Sequence, residues 1–271
     1  MARLYQERIA RDSPQRWLLL THGIYGAGSN WRGIARKLVE RRPEWGVLLV
    51  DLRQHGRSEP GDAPHTIDAC ADDIAAVLDP SIKAIAGHSF GGKVVLAARA
   101  KAPPTLQQTW MLDSSPSPNP TAAQDPANSV SRVLSLMERL PATWAKRDDF
   151  VNAVIADGHD AGLAQWLAMN IVPDAGGALR NRLDLAAIRE MLASYYATDL
   201  WSVALDPALP GTLEVVIADR SPTIDAAARA RFAQAPSHVH VHYVNAGHWL
   251  HIEAPATVVE LLDQGLSTSV A

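Results

Sequence analysis

The sequence predicts an α/β fold, a mostly parallel sheet covered by helices on both faces, interrupted once by a helical insertion. Short continuous apolar runs, each stopped by a polar or glycine-containing loop, read as strands buried on both faces. Helical windows between them supply the crossovers that a parallel sheet requires. From Pro116 to Leu205 this alternation lapses into apolar-periodic helical stretches, and it resumes after Pro210.

The first run, Trp17 to Thr21, ends in His22-Gly23 and a loop through Gly26 and Gly28. A helical window follows from Trp31 to Val39. The run Val47 to Val50 stops at Asp51 and opens a polar loop with Arg53, His55 and Gly56, ahead of a helical window from Asp68 to Leu78. Ala84 to Ala86 runs into Gly87-His88-Ser89-Phe90-Gly91-Gly92, after which Lys93 to Ala100 is alanine-rich and favours a helix. Thr109 to Leu112 ends at Asp113. The insertion opens with Pro116, Pro118, Pro120 and Pro126, a stiff composition. It continues through Val130 to Leu140, Phe150 to Ile155, Leu163 to Met169 and Leu185 to Leu200, with no clear strand. Leu213 to Ala218, Ile224 to Ala233 and Val239 to Val244 restore the strand and helix alternation. The expected division is a core of residues 1–115 and 206–271 with a helical cap, 116–205, inserted in it.

At 271 residues, 47% hydrophobic and 20% charged, the chain can bury a sizeable core and does not have the composition of a disordered segment. A formal net charge of -4 offers no basic footprint for a nucleic-acid backbone, so nucleic acid is not an expected partner. The single cysteine, Cys70, rules out a disulfide framework or a cysteine-built zinc site within one chain. Arg3, Glu7, Arg8, Arg11 and Asp12 interrupt any apolar signal sequence, and no later window approaches ~18 apolar residues. A cytoplasmic protein without a membrane span is the expectation; the sequence does not separate monomer from homodimer.

Gly87-His88-Ser89-Phe90-Gly91 matches G-x-S-x-G, a weak pattern alone, but here a strand precedes it and a helix follows. That is the setting of a nucleophile elbow, in which flanking glycines make room for a sharp turn and the helix amino end favours developing negative charge. Gly87 to Lys93 also satisfies most of a phosphate-binding loop, and Asp113 imitates its acidic strand end. That reading fails at Val94, where a magnesium-ligating Ser or Thr is required. A serine needs a base. His248 follows the last strand in Asn245-Ala246-Gly247-His248-Trp249 and falls last in chain order, as the base of such elbows does. His251 is the lesser candidate. His238, His240 and His242 alternate along one strand, a half-exposed face rather than a metal site. His22, His55 and His88 sit beside glycines and are expected to position loops. The acid that orients the base is expected at Asp113; Asp219 is the alternative, arriving about two residues before the usual place, which Ser221 fills. Otherwise Asp219 is a turn residue capping a helix that begins near Thr223. Backbone N–H groups of Phe90 and Ile24 are the expected oxyanion donors.

These residues resemble the α/β-hydrolase superfamily. Gly87-His88-Ser89-Phe90-Gly91-Gly92-Lys93, Asp51-Leu52-Arg53-Gln54-His55-Gly56-Arg57-Ser58 and Ala246-Gly247-His248-Trp249-Leu250-His251-Ile252-Glu253-Ala254-Pro255 look like a branch of small intracellular serine esterases that also includes mitochondrial ethanol acetyltransferases. The resemblance spans about 15–115 and 210–262 and fades in the insertion. It implies a Ser89, Asp113, His248 triad and hydrolysis of a small carboxylic ester or thioester through an acyl-enzyme, with no metal or organic cofactor. Acyl transfer and carbon–carbon bond hydrolysis are alternatives on the same triad, and a non-catalytic ligand receptor or scaffold is an alternative of another class. Tyr25, His88 and Trp249 are candidate pocket residues; Tyr25 stands where a smaller residue would leave a wider acyl pocket. Asp219 occupies a place where the branch tends to have glycine.

Overall fold

A computed structural model describes residues 1–122, 125 and 128–267. Seven strands form one sheet: β1 (Gln6–Ile9), β2 (Arg16–Thr21), β3 (Trp45–Val50), β4 (Ile82–His88), β5 (Gln108–Leu112), and, after the insertion, Thr212–Ala218 and Val239–Val244. Their spatial order is β1-β3-β2-β4-β5 followed by those last two, all parallel except β1, which pairs antiparallel with β3. Alternate residues of the apolar runs go to opposite faces, as the pleat dictates. Leu19 and Ile85 pack into one apolar cluster, while Leu18, Leu20, Ala84 and Ala86 pack into another.

Helices α1 (Arg32–Arg41), α2 (Ile67–Ala75) and α3 (Phe90–Arg99) make the first crossovers. Helices α2 and α3 cover one face, and α1 covers the other beside the last helix of the chain. The insertion contributes α4 (Ser129–Arg139), α5 (Arg147–Ala156), α6 (Ala161–Leu167), α7 (Leu185–Ala197) and α8 (Trp201–Ala204). It also holds a three-stranded antiparallel sheet of β6 (Thr143–Trp144), β7 (Ile171–Pro173) and β8 (Leu179–Asn181), in the order β6-β8-β7. The expectation of a strandless insertion is corrected here: two or three residues are too few to show a period-2 pattern. Of the prolines read as a stiff entry, Pro126 lies outside the described residues. The core then closes with β9 (Thr212–Ala218), α9 (Ala226–Phe232), β10 (Val239–Val244), α10 (Leu250–Glu253) and α11 (Pro255–Ser267). Strand β1 had no apolar run to mark it, because Gln6, Glu7 and Arg8 form the charged edge that keeps a sheet from pairing further.

One buried ion pair sets the loop after β3. Arg53 Nε and Nη2 donate to the two Asp73 oxygens at 2.6 and 2.9 Å, with side chains 3% and 1% exposed. The remaining guanidinium donors reach the carbonyls of Asp62, Pro64 and Ala69. Removing one charge would leave the other buried without its partner. Asp73→Ala is therefore expected to lower the unfolding free energy by about 3–5 kcal/mol, read from urea unfolding.

Candidate active site

Strand β4 delivers Ser89 onto a turn in which its backbone adopts φ 54° and ψ -118°, and α3 begins at the next residue. Positive φ strains a non-glycine residue, and packing holds this one in place. A Cβ on Gly91 would meet the His22 carbonyl oxygen at 2.4 Å, so glycine there lets the elbow lie against the loop after β2. Asp113 follows β5, also at positive φ (46°), and is fully buried. Its main-chain N–H donates to Val216 O and its Oδ1 accepts from the Ala218 N–H at 3.2 Å. Strand β9 thus anchors the carboxylate that β5 carries.

His248 lies between these two groups. Its Nδ1 is 2.7 Å from Asp113 Oδ2, and its Nε2 is 2.9 Å from Ser89 Oγ. A carboxylate accepts, so Nδ1 carries the proton and Nε2 is left to accept from the serine hydroxyl. Asp219 plays no part in this chain: its side chain is exposed and meets no hydrogen-bond or ionic partner among the described residues. Nor does it cap the following helix; Asp225 does, accepting from the Ala228 N–H at 2.7 Å. Ser221 is close to the site by another route, since its Oγ donates to Thr223 Oγ1, which is 3.0 Å from His248 Nδ1. Thr223 carried no sequence signal beyond its place after a strand.

Five polar side chains hold the loops around this chain. His88 is 2% exposed, and its Nε2–H donates to the His248 carbonyl at 2.8 Å. Burial, with the neighbouring His248 and His251 rings, drives its pKa well below the ordinary value. It is therefore a buried support behind His248 rather than the pocket wall expected of it. His22 accepts the Leu52 N–H at Nε2 and donates from Nδ1 to Gly23 O, tying the loop after β2 to the loop after β3. His55 accepts the Tyr25 N–H and donates to Arg53 O, which fixes the chain next to Ile24. Asp51 accepts the Gly28 and Arg57 N–H groups at 2.7 and 2.9 Å, and Asn170 of the insertion donates to the Tyr25 carbonyl at 2.8 Å. Among the described residues, neither the Phe90 nor the Ile24 N–H meets an acceptor. Phe90 opens α3, where an N–H has no intrahelical partner and the helix dipole favours negative charge.

Burial holds His22 at a pKa of about 4 and His55 at about 3, so both are neutral donors and acceptors. These folded values lie below the unfolded one, so the unfolded chain binds more protons in acid. The stability is complete above pH 6.5 and falls as pH drops toward 4, by about 3 kcal/mol for His22 alone. Urea midpoints between pH 7 and pH 4 are expected to show that fall, and His22→Gln, which does not titrate, to flatten part of it.

Above the chain, Trp249 packs edge-on against Trp166 of α6 at 4.7 Å. Tyr25 is buried beneath the insertion and its hydroxyl donates to the Val130 carbonyl of α4 at 2.9 Å. His251 stacks on Trp31 at 4.8 Å, with burial holding its pKa at about 4. His240 and His242 both reach the buried Glu214 carboxylate, at 2.8 and 2.7 Å. No helix among the described residues is long and apolar enough to cross a membrane.

The chain is similar to known proteins in sequence and in fold. A family model described as "Alpha/beta hydrolase family" matches residues 18–261. An sn-1-specific diacylglycerol lipase, ABHD11, of Xenopus laevis is 28% identical over 244 residues, 87% of this chain and 75% of that one. Esterase YbfF of Escherichia coli K12 is 26% identical over 261 residues, 92% of each. Among solved structures, a marine microorganism esterase superposes with a TM-score of 0.83 at 21% identity, covering 97% of this chain and 99% of the other. With the elbow, the sheet order and the family model in agreement over nearly its whole length, the chain belongs to the α/β-hydrolase family.

Proposed function

We propose that this carboxylic ester hydrolase is a serine esterase that works through an acyl-enzyme on Ser89. The observation that carries the reading is the continuous chain Asp113 Oδ2, His248 Nδ1, His248 Nε2, Ser89 Oγ, each link within 2.9 Å. As Ser89 Oγ attacks the ester carbonyl, its proton passes to His248 Nε2. Asp113 holds the ring in the one tautomer that can accept that proton and stabilises the imidazolium that results. The N–H groups of Phe90 and Ile24 receive the oxyanion, and they need no reorganisation because the loops that carry them are already fixed. Collapse expels the alcohol, which takes the proton from His248. A water then repeats the sequence against the acyl-serine and releases the acid.

The inserted segment, 116–205, serves in this reading as a cap whose Trp166 and the neighbouring Trp249 wall the acyl site. Tyr25 limits its depth and selects short acyl groups. Tyr25→Ala is expected to raise kcat/KM for an octanoyl over an acetyl ester by about tenfold or more, because several methylenes each gain apolar contact. An unchanged ratio would remove Tyr25 from the pocket. The mechanism is tested by partition. Esters sharing one acyl group but differing in alcohol are hydrolysed in hydroxylamine, and the ratio of hydroxamate to acid is measured. A common acyl-enzyme predicts one ratio for all alcohols; a ratio that follows the leaving group would contradict it.

A further inference from the structure

Lys93, the residue that makes Gly92-Lys93 look like a phosphate loop, has no part in the proton relay, yet it is 1% exposed. All three of its ammonium donors are used on carbonyl oxygens: Ser117 at 2.9 Å, Tyr195 at 2.8 Å and Thr198 at 3.0 Å. None is left to reach a phosphate. Nζ also lies 4.4 Å from the centre of the Tyr195 ring, within range of a cation–π contact. Burial pulls its pKa down to about 8, with Asp199 opposing, so the amine is still charged at neutral pH.

The positions of those three carbonyls give the contact its meaning. Ser117 lies on the chain leaving β5 for the insertion; Tyr195 and Thr198 end α7, on the chain returning from it. The two crossings are knit to each other around the ammonium. Leu200 N–H donates to Pro116 O at 2.9 Å, Asn119 N–H to Tyr196 O at 2.7 Å, and Trp201 Nε1 to Ser117 Oγ at 2.9 Å. The last carbonyls of a helix lack intrahelical donors. In α7, Ser194 O is met by Thr198, Tyr196 O by Asn119 and Tyr195 O by Lys93. A cation at a helix carboxyl end is also favoured by the helix dipole. On the other side, Lys93 sits one turn beyond Ser89 on α3, and the Phe90 ring stacks on Tyr195 at 5.7 Å.

We propose that Lys93 is a positioning residue: its ammonium clamps both crossings of the inserted segment to the helix that carries Ser89, and so sets the seat of that segment over the acyl site. The proposal deepens the esterase reading and rests on it. It also explains why a lysine follows the elbow glycines in a chain with no phosphate site at that place. The clamp acts on how the substrate is held rather than on the proton relay. Its loss therefore raises KM more than it lowers kcat.

The test compares wild type with Lys93→Met, which keeps length and removes the donors, and with Lys93→Arg, which keeps charge but replaces a point donor by a planar fork. Three readouts are taken: hydrogen exchange at the Asn119 and Leu200 amides, KM and kcat for a butyryl ester, and the rate at which a small fluorophosphonate labels Ser89. Exchange at both amides is expected to quicken about tenfold or more in Lys93→Met, and KM to rise about tenfold with a smaller change in kcat. Lys93→Arg is expected to fall between the two, and it carries the test if Lys93→Met does not fold. Ser89 labelling is expected to stay within about threefold of wild type, because a small probe does not need the inserted segment. Unchanged exchange, or faster exchange with an unchanged KM, overturns the clamp. Wild type that folds but takes no label overturns the esterase reading instead, while the amide exchange still judges the clamp.

Discussion

Ser89→Ala is expected to lower kcat/KM for a short-chain ester by about 10⁵- to 10⁶-fold and to leave the fold intact. Among the described residues the hydroxyl has one hydrogen-bonding partner, His248 Nε2 at 2.9 Å, so its removal breaks no other contact. Alanine takes over the strained backbone that Ser89 already tolerates at φ 54°, and the urea midpoint is expected to move little. What disappears is the hydroxyl that, in the proposed mechanism, passes its proton to His248. The Phe90 and Ile24 donors survive the substitution, so a residual rate of about 10³-fold over water is expected, from oxyanion stabilisation and binding alone. A variant that keeps more than about a hundredth of wild-type activity would move the nucleophile elsewhere.

Asp113→Asn is expected to cost about 10⁴-fold in kcat, against a change of less than about twofold for Asp219→Asn. The reason is a tautomer rather than a lost fold. Asparagine fills the same buried space and its oxygen can still take the Ala218 N–H, as Oδ1 does now. Its amide nitrogen then faces His248 Nδ1 as a donor, where a carboxylate accepted. The histidine proton moves to Nε2, and that nitrogen can no longer accept from Ser89. Asp219 is exposed and partnerless among the described residues, so its charge has no short path to the ring. A large loss from Asp219→Asn with a small one from Asp113→Asn would place the acid after β9.

Much of this was legible in the chain because the core strands are buried on both faces. Trp17 to Thr21 and Val47 to Val50 show as continuous apolar runs, and each ends where the sheet ends. Strand β1 was invisible because Gln6, Glu7 and Arg8 leave it no apolar run at the sheet edge, and β6 to β8 because they are held by pairing rather than by an apolar pattern. Ser89 could be read from local geometry, since an elbow needs small neighbours in a fixed spacing. The placements of His248 and Asp113 followed from strand ends and chain order. Choosing between Asp113 and Asp219 on spacing alone was less secure, because their distance to a histidine 135 and 29 residues along the chain, respectively, is set by sheet packing. The same physics hid Thr223 and the carbonyl partners of His88 and Lys93. A buried donor advertises that it must be satisfied, and nothing in its own segment says by which distant carbonyl. Lys93 is the clearest case, a residue whose motif pointed to phosphate and whose three bonds are all to backbone oxygens of the insertion's two crossings.

The most direct measurement is peptide mass spectrometry after reaction with a fluorophosphonate, on wild type, His248→Ala and Ser89→Ala. A phosphonyl group on Ser89 in wild type, nearly lost in His248→Ala and absent from that peptide in Ser89→Ala, is the result that an activated Ser89 predicts. A folded wild type that remains unlabelled, or carries the label on another side chain, would contradict it.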